Sequence, residues 1–150
     1  MHTRLHMDQS RISLQPADAE AIELPLSLGD LLDAGLQRFP PSELALERAI
    51  AMTEDTLMPH VAALRRHPLD VLVAADDALA ALPSLLGRDG TAPLRVDIDD
   101  VERGFNQVAQ VAAGMPAHAM GLAEQPRFVA ALLVVRELMH HVGWKQLQLP

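Results

Sequence analysis

The segment FVAALLVV, Phe128 to Val135, restricts this chain more than any other. Eight consecutive apolar residues, introduced by Pro126 and ended by Arg136, leave no polar face for a helix to show to water. A helix over 126–142 is therefore predicted to run through the middle of a core. Pro126 suits a first helical turn, and Gly143 offers a left-handed stop. The run is far short of the about 17 to 25 residues that span a bilayer, so a soluble chain with no membrane partner is expected.

The rest of the chain can supply that core. With 150 residues, 49% of them hydrophobic, it suffices for one domain burying roughly 70% of its unfolded surface. Aromatic residues make up only 3%, without any tyrosine, so the core is aliphatic. The opening residues MHTRLHMDQS are polar and unpatterned, which predicts a flexible lead-in over 1–10 and a single domain over 11–150. They also lack the apolar stretch of a secretory signal, so a cytoplasmic setting is expected.

Short strands are expected at Ile12–Leu14 and Ile22–Leu26. Ser27, with Asp30 three residues on, starts an amphipathic helix carrying Leu28, Leu31, Leu32, Leu36 and Phe39, which Pro40 and Pro41 stop. A second helix begins after Ser42 and is split by Pro59 into pieces of about 43–58 and 59–66. Residues 70–82 fit a strand at Val71–Val73 or a helical face of Leu72, Ala75, Leu79 and Leu82; their alanine content favours helix. After the loop GRDGTAP, Leu94, Val96 and Ile98 alternate as a strand, and Asp97 or Asp99 caps a helix bearing Val101, Phe105 and Val108. Gly104, inside that helix, hints at a close helix crossing. Residues Trp144–Leu149 alternate as a terminal strand. The sum is an α+β domain, with five or six helices packed on a small sheet of three or four short strands.

Charge and composition exclude several functions. Twelve Lys and Arg against twenty Asp and Glu give a net charge of −8, which disfavours nucleic acid and anionic membranes. The absence of cysteine removes thiolate chemistry. Neither a phosphate-binding glycine loop nor a nucleophile elbow is present, and of the five serines Ser27 and Ser42 act as caps.

The densest group of chemically capable side chains lies in VRELMHHVGWK. Glu137 precedes His140 by three residues and His141 by four, so it can share a helix face with either. The two imidazoles themselves point about 100° apart and cannot chelate one ion from one helix. Histidines in a last turn also favour the helix C-terminal partial charge, and a helix ending is the simpler account. Met115, His118 and Met120 offer soft ligands in the loop MPAHAM, although methionines there also serve as core fillers. The acidic run DIDD, Asp97 to Asp100, fits a helix N-terminus, with Asp76 and Asp77 as possible spatial neighbours.

With no catalytic motif and no cofactor indicated, the expected function is that of an accessory protein, homodimeric, working through a protein-binding surface. Trp144, Leu147 and Leu149 on an open strand edge and Leu28 and Leu32 on the amphipathic helix would form it. The alternative is a small metal-dependent enzyme or metal carrier using Glu137, His140, His141 and His118.

Overall fold

The computed structural model describes residues 2–90 and 92–150. Its strands are β1 (His2–Met7), β2 (Ile12–Pro16), β3 (Ile22–Leu24), β4 (Val71–Ala74), β5 (Leu94–Asp97) and β6 (Gln146–Leu149). They form one mixed sheet in the order β3-β2-β1-β4-β6-β5. β1, β4 and β6 run parallel at its centre; β2 and β5 are antiparallel to their inner neighbours. The architecture is α+β, with six strands where three or four were expected.

The two strands missing from the sequence prediction are the central ones. The expected lead-in is β1, with Thr3, Leu5 and Met7 each 1% exposed and Arg4 and His6 on the opposite face. Its period of two is clear once the fold is known, but threonine and methionine at inward positions disguise it. The expected helix over 70–82 is β4 followed by a turn and the short helix α4 (Leu82–Leu85). Pairing with β1 on one side and β6 on the other outweighs the helix preference of the alanines.

Helices cover one face of the sheet. Ser27 caps α1 (Leu28–Leu31) through a reciprocal pair with Asp30, and the chain continues in a wider turn, Leu32–Leu36, bent at Gly35, whose φ is 139°. Ser42 caps α2 (Glu43–Leu57), and Pro59 separates it from α3 (Val61–Leu64). Asp97 caps α5 (Ile98–Ala112), again reciprocally, with Asp100. α6 (Pro126–His141) is the buried central helix: every residue from Phe128 to Val135 is at most 2% exposed. It packs against α1, α2 and α5.

The other face carries Arg4, Gln15, Arg95 and Gln148, in keeping with alternation along each strand. β6 is not an edge, since β4 and β5 flank it on either side. Among the described residues, no helix is long and apolar enough to cross a membrane.

Candidate functional site

In open sheets with a parallel centre, ligands bind beyond the carboxyl ends of the strands, where the strand order turns in opposite directions. Here that point lies between β1 and β4: the sheet extends from β1 to β2 and β3 on one side, and from β4 to β6 and β5 on the other. His6, in the last residues of β1, and Asp8, Asp76 and Asp77, just past the two strand ends, gather there.

These side chains interlock. Asp76 Oδ2 accepts the Met7 backbone N–H at 2.7 Å, and Asp76 Oδ1 accepts that of Ala78 at 3.3 Å. His6 bridges two carboxylates, with Nε2 2.8 Å from Asp8 Oδ2 and Nδ1 3.3 Å from Asp76 Oδ2. Asp8 Oδ1 gathers the N–H groups of Ser10 and Arg11 and the Ser10 hydroxyl at 2.8 to 3.0 Å, which shapes the β1–β2 turn. The His6 hydrogen bond and those two amides hold the Asp8 carboxyl well below the usual carboxylate range.

That turn is clamped from the helical side. Leu28 and Gly29 donate their N–H groups to the carbonyls of Asp8 and Gln9 at 3.2 and 3.0 Å. A side chain at Gly29 would place its first carbon 2.5 Å from the Gln9 carbonyl oxygen, so only glycine permits this approach. Nearby, a small cavity of about 210 Å³ lies between the ends of β4 and β6, lined by Asp76, Asp77, Leu79, Ala80, Pro83, Leu149 and Pro150. Arg127, at the start of α6, contacts Asp77 at 3.2 Å. His6 and Asp8 carry no local signal in the sequence, because the polar residues around them resemble a flexible lead-in. Asp76 and Asp77 were noticed only as possible neighbours of Asp97–Asp100, which lie at the opposite end of the sheet.

The four candidate metal ligands Glu137, His140, His141 and His118 are not brought together. His118 lines a separate cavity of about 600 Å³ with Phe39, Pro40 and Met115. It precedes α6, whereas the other three lie toward the far end of that helix, which is about 24 Å long for its 16 residues. His140 turns to Glu102 on α5, and His141 to Glu54 on α2, as expected for adjacent positions on one helix. Of the loop methionines, Met115 is 48% exposed while Met120 packs on the core and lends its carbonyl to Gln107.

VRELMHHVGW is also a capped helix ending. Arg65 donates to the carbonyls of His141 and Val142 at 2.8 and 3.2 Å, and Gly143 adopts a φ of 106°. Asp100 in the DIDD run completes the α5 cap and binds Arg88 and Arg103 at 2.7 and 2.8 Å. Burial works against its charge, but the Asp97 amide and the two guanidinium groups prevail, and its pKa is lowered.

Glu137 shares its helix face with His141 and is 2% exposed. Its Oε2 accepts from Arg136 Nη1 at 3.0 Å, and its Oε1 lies 3.7 Å from His141 Nε2. Burial, then the adjoining Glu54 carboxyl, push its pKa up to about 7 against the counter-pull of Arg136.

A sheet with a parallel centre, helices on one face and polar groups gathered at its switch point defines the class of domain. No family model and no curated protein matches the chain. Solved structures do. The Ppx/GppA family member from Aquifex aeolicus superposes with a TM-score of 0.70 at 12% identity, over 99% of this chain and 51% of that one. An exopolyphosphatase from Cytophaga hutchinsonii gives a TM-score of 0.67 at 12% identity, over 99% and 52%, and an exopolyphosphatase-like protein gives 0.71 at 9%, over 99% and 55%. The chain thus has the fold of about half of these proteins.

This fold overturns the expected homodimeric interaction protein, whose motivating surface is also missing. Trp144, Leu147, Leu149 and Leu28 are at most 3% exposed and Leu32 is only partly exposed, so they belong to the core rather than to a docking face.

Proposed function

We infer that the chain is a lobe of a phosphatase-type enzyme that engages a phosphate chain, of the polyphosphate class, through a divalent cation at the His6–Asp8–Asp76 crevice. The observation that carries this is the convergence of those three side chains at the carboxyl ends of β1 and β4, in a fold shared with proteins described as exopolyphosphatases. At low identity that likeness is one of fold, and the chemistry is argued from the crevice itself.

Three carboxylates, Asp8, Asp76 and Asp77, repel a bare phosphate, and no glycine-rich loop is present to cradle one. A Mg²⁺ ion reverses the sign, because it is commonly bound by one or two carboxylates together with substrate phosphate oxygens. The donor set fits such an ion. Each carboxylate oxygen carries two lone pairs, and Asp8 Oδ2 and Asp76 Oδ1 each have room for a further partner. His6, held between the two carboxylates, fixes their orientation toward the ion.

The test is binding of medium-chain polyphosphate with and without Mg²⁺, together with release of inorganic phosphate. Binding is expected to require Mg²⁺ and to weaken at least about tenfold in Asp76→Asn, whose amide oxygen can still accept the Met7 N–H. Neither binding nor phosphate release in the presence of Mg²⁺, or binding indifferent to Asp76→Asn and Asp8→Asn, would refute it.

A further inference from the structure

The helical layer holds a second group of ligating side chains, at the opposite end of the sheet. α6 leads through a short turn into β6, and that turn is bonded to the start of β4 by Lys145 N–H to Leu69 O and Gln146 N–H to Asp70 O, at 3.0 and 3.2 Å. The last turns of α6 therefore lie at the amino ends of the parallel strands, remote from the crevice. There, Glu137 and His141 on α6 face Glu54 on α2 across a shallow cleft of about 250 Å³, which Arg136 and His140 also line.

We propose that Glu54, Glu137 and His141 form a binding site for a first-row divalent cation of the Zn²⁺ class, which ties α2 to the end of α6. One donor atom from each residue lies within 4.8 Å of the other two. His141 Nε2 is 3.7 Å from Glu137 Oε1 and 4.0 Å from Glu54 Oε2. Bonds of about 2.0 to 2.2 Å place tetrahedral ligand atoms roughly 3.3 to 3.5 Å apart, so small side-chain movements close the set. Two of the three are half-exposed and free to make them, with side chains 41% exposed at Glu54 and 31% at His141.

The second observation is Glu137 itself. Its side chain is only 3% exposed, with Oε2 held by Arg136 and Oε1 turned toward His141. A carboxyl group buried to this degree beside a second carboxyl gains from a cation between them. The cleft is rich in carboxyl groups: Glu54, Glu102 and Glu137 stand beside one guanidinium, that of Arg136, which is already held by Glu102 at 3.1 Å and by the Phe105 ring at 4.6 Å. A divalent ion would take the place of the proton that Glu137 otherwise retains. Two carboxylates and one imidazole, with room for water on the open side, suit Zn²⁺ better than Ca²⁺, which wants six to eight oxygen ligands.

This site differs in membership from the one expected from sequence, since Glu54 enters and His140 and His118 leave. Calorimetric titration of the chelator-treated full chain with Zn²⁺ tests it. One equivalent is expected to bind, with an accompanying rise in melting temperature. Glu54→Gln and His141→Asn are each expected to weaken binding at least about 100-fold, because loss of a direct ligand exceeds the roughly 10- to 100-fold typical of groups behind the ligands. His118→Asn and His140→Asn should leave it within a few-fold. Both key positions are partly exposed, so the variants fold, which circular dichroism verifies. Absence of stoichiometric Zn²⁺ in the unsubstituted chain, or equal binding by the Glu54 and His141 variants, would overturn the site; a pair of glutamates that merely share a proton gives the first of these outcomes.

Discussion

The Asp76 carboxylate receives the backbone N–H of Met7 at 2.7 Å across 69 residues of sequence, and so joins the end of β4 to the end of β1. The same carboxylate faces His6 at 3.3 Å. Asp76→Ala leaves the partly buried Met7 amide without its partner and should cost about 1 to 3 kcal/mol, read as a lower urea midpoint at unchanged slope. Asp76→Asn should cost less. Equal losses would mean that the N–H finds another acceptor.

Gly29 and Gly104 are expected to respond to alanine in opposite directions. At Gly29 the added carbon would lie 2.5 Å from a backbone oxygen, a clash that only movement of the β1–β2 turn relieves. Gly29→Ala should destabilise by at least about 1 to 3 kcal/mol, the usual range for overpacking. At Gly104 the nearest atoms are leucine methyl groups at 3.4 to 3.7 Å, so the close crossing expected from sequence is not so tight as to demand glycine. Gly104→Ala should raise stability by about 0.5 to 1 kcal/mol through helix propensity alone. Thermal melts of the two variants decide both points.

Arg65 closes the end of α6, donating to two carbonyls that no later turn of helix can satisfy. Arg65→Ala should lower stability by about 1 to 2 kcal/mol, and Arg65→Lys should restore only part, since an ammonium cannot reproduce the guanidinium fork. Amide hydrogen exchange should then quicken in the last turn of α6 before it does in α5. Uniform quickening across both helices would point to a global effect instead.

Glu137 makes stability depend on pH. Its carboxyl rises from an ordinary value of 4.5 to about 7 in the folded chain, so between those values the native state holds a proton that the unfolded state has lost. The contribution is complete below about 4.5 and disappears as pH rises through about 7. It amounts to no more than about 3 kcal/mol. Urea midpoints in the presence of chelator should therefore contain a component that falls between pH 5 and pH 7, and Glu137→Gln should abolish that component. An unchanged pH profile in the variant would place the proton elsewhere.

Several elements could be read locally because their causes are local. Eight apolar residues in a row required a buried helix; Ser27, Ser42 and Asp97 each stand where a cap is needed; Pro59 splits a helix wherever the rest of the chain lies. The divergence of His140 and His141 follows from the turn angle of a single helix. The two central strands had no such local cause. β1 is polar in composition and β4, despite Val71 and Val73, runs into an alanine-rich stretch; both are strands because they are bonded to each other, and β4 also to β6, across long stretches of sequence.

The candidate crevice depends on those same two strands, which is why it could not be read from the chain. His6 and Asp76, 70 positions apart, meet only because β1 and β4 pair in parallel and end together. Glu54 likewise reaches Glu137 only through the packing of α2 on α6. What the sequence alone determined is the set of turns, caps and buried faces, each governed by interactions within a few residues. What the tertiary structure decided is which polar side chains share a space, because that depends on strand order and helix packing, to which hydrogen bonds and core contacts between distant segments contribute most of the energy.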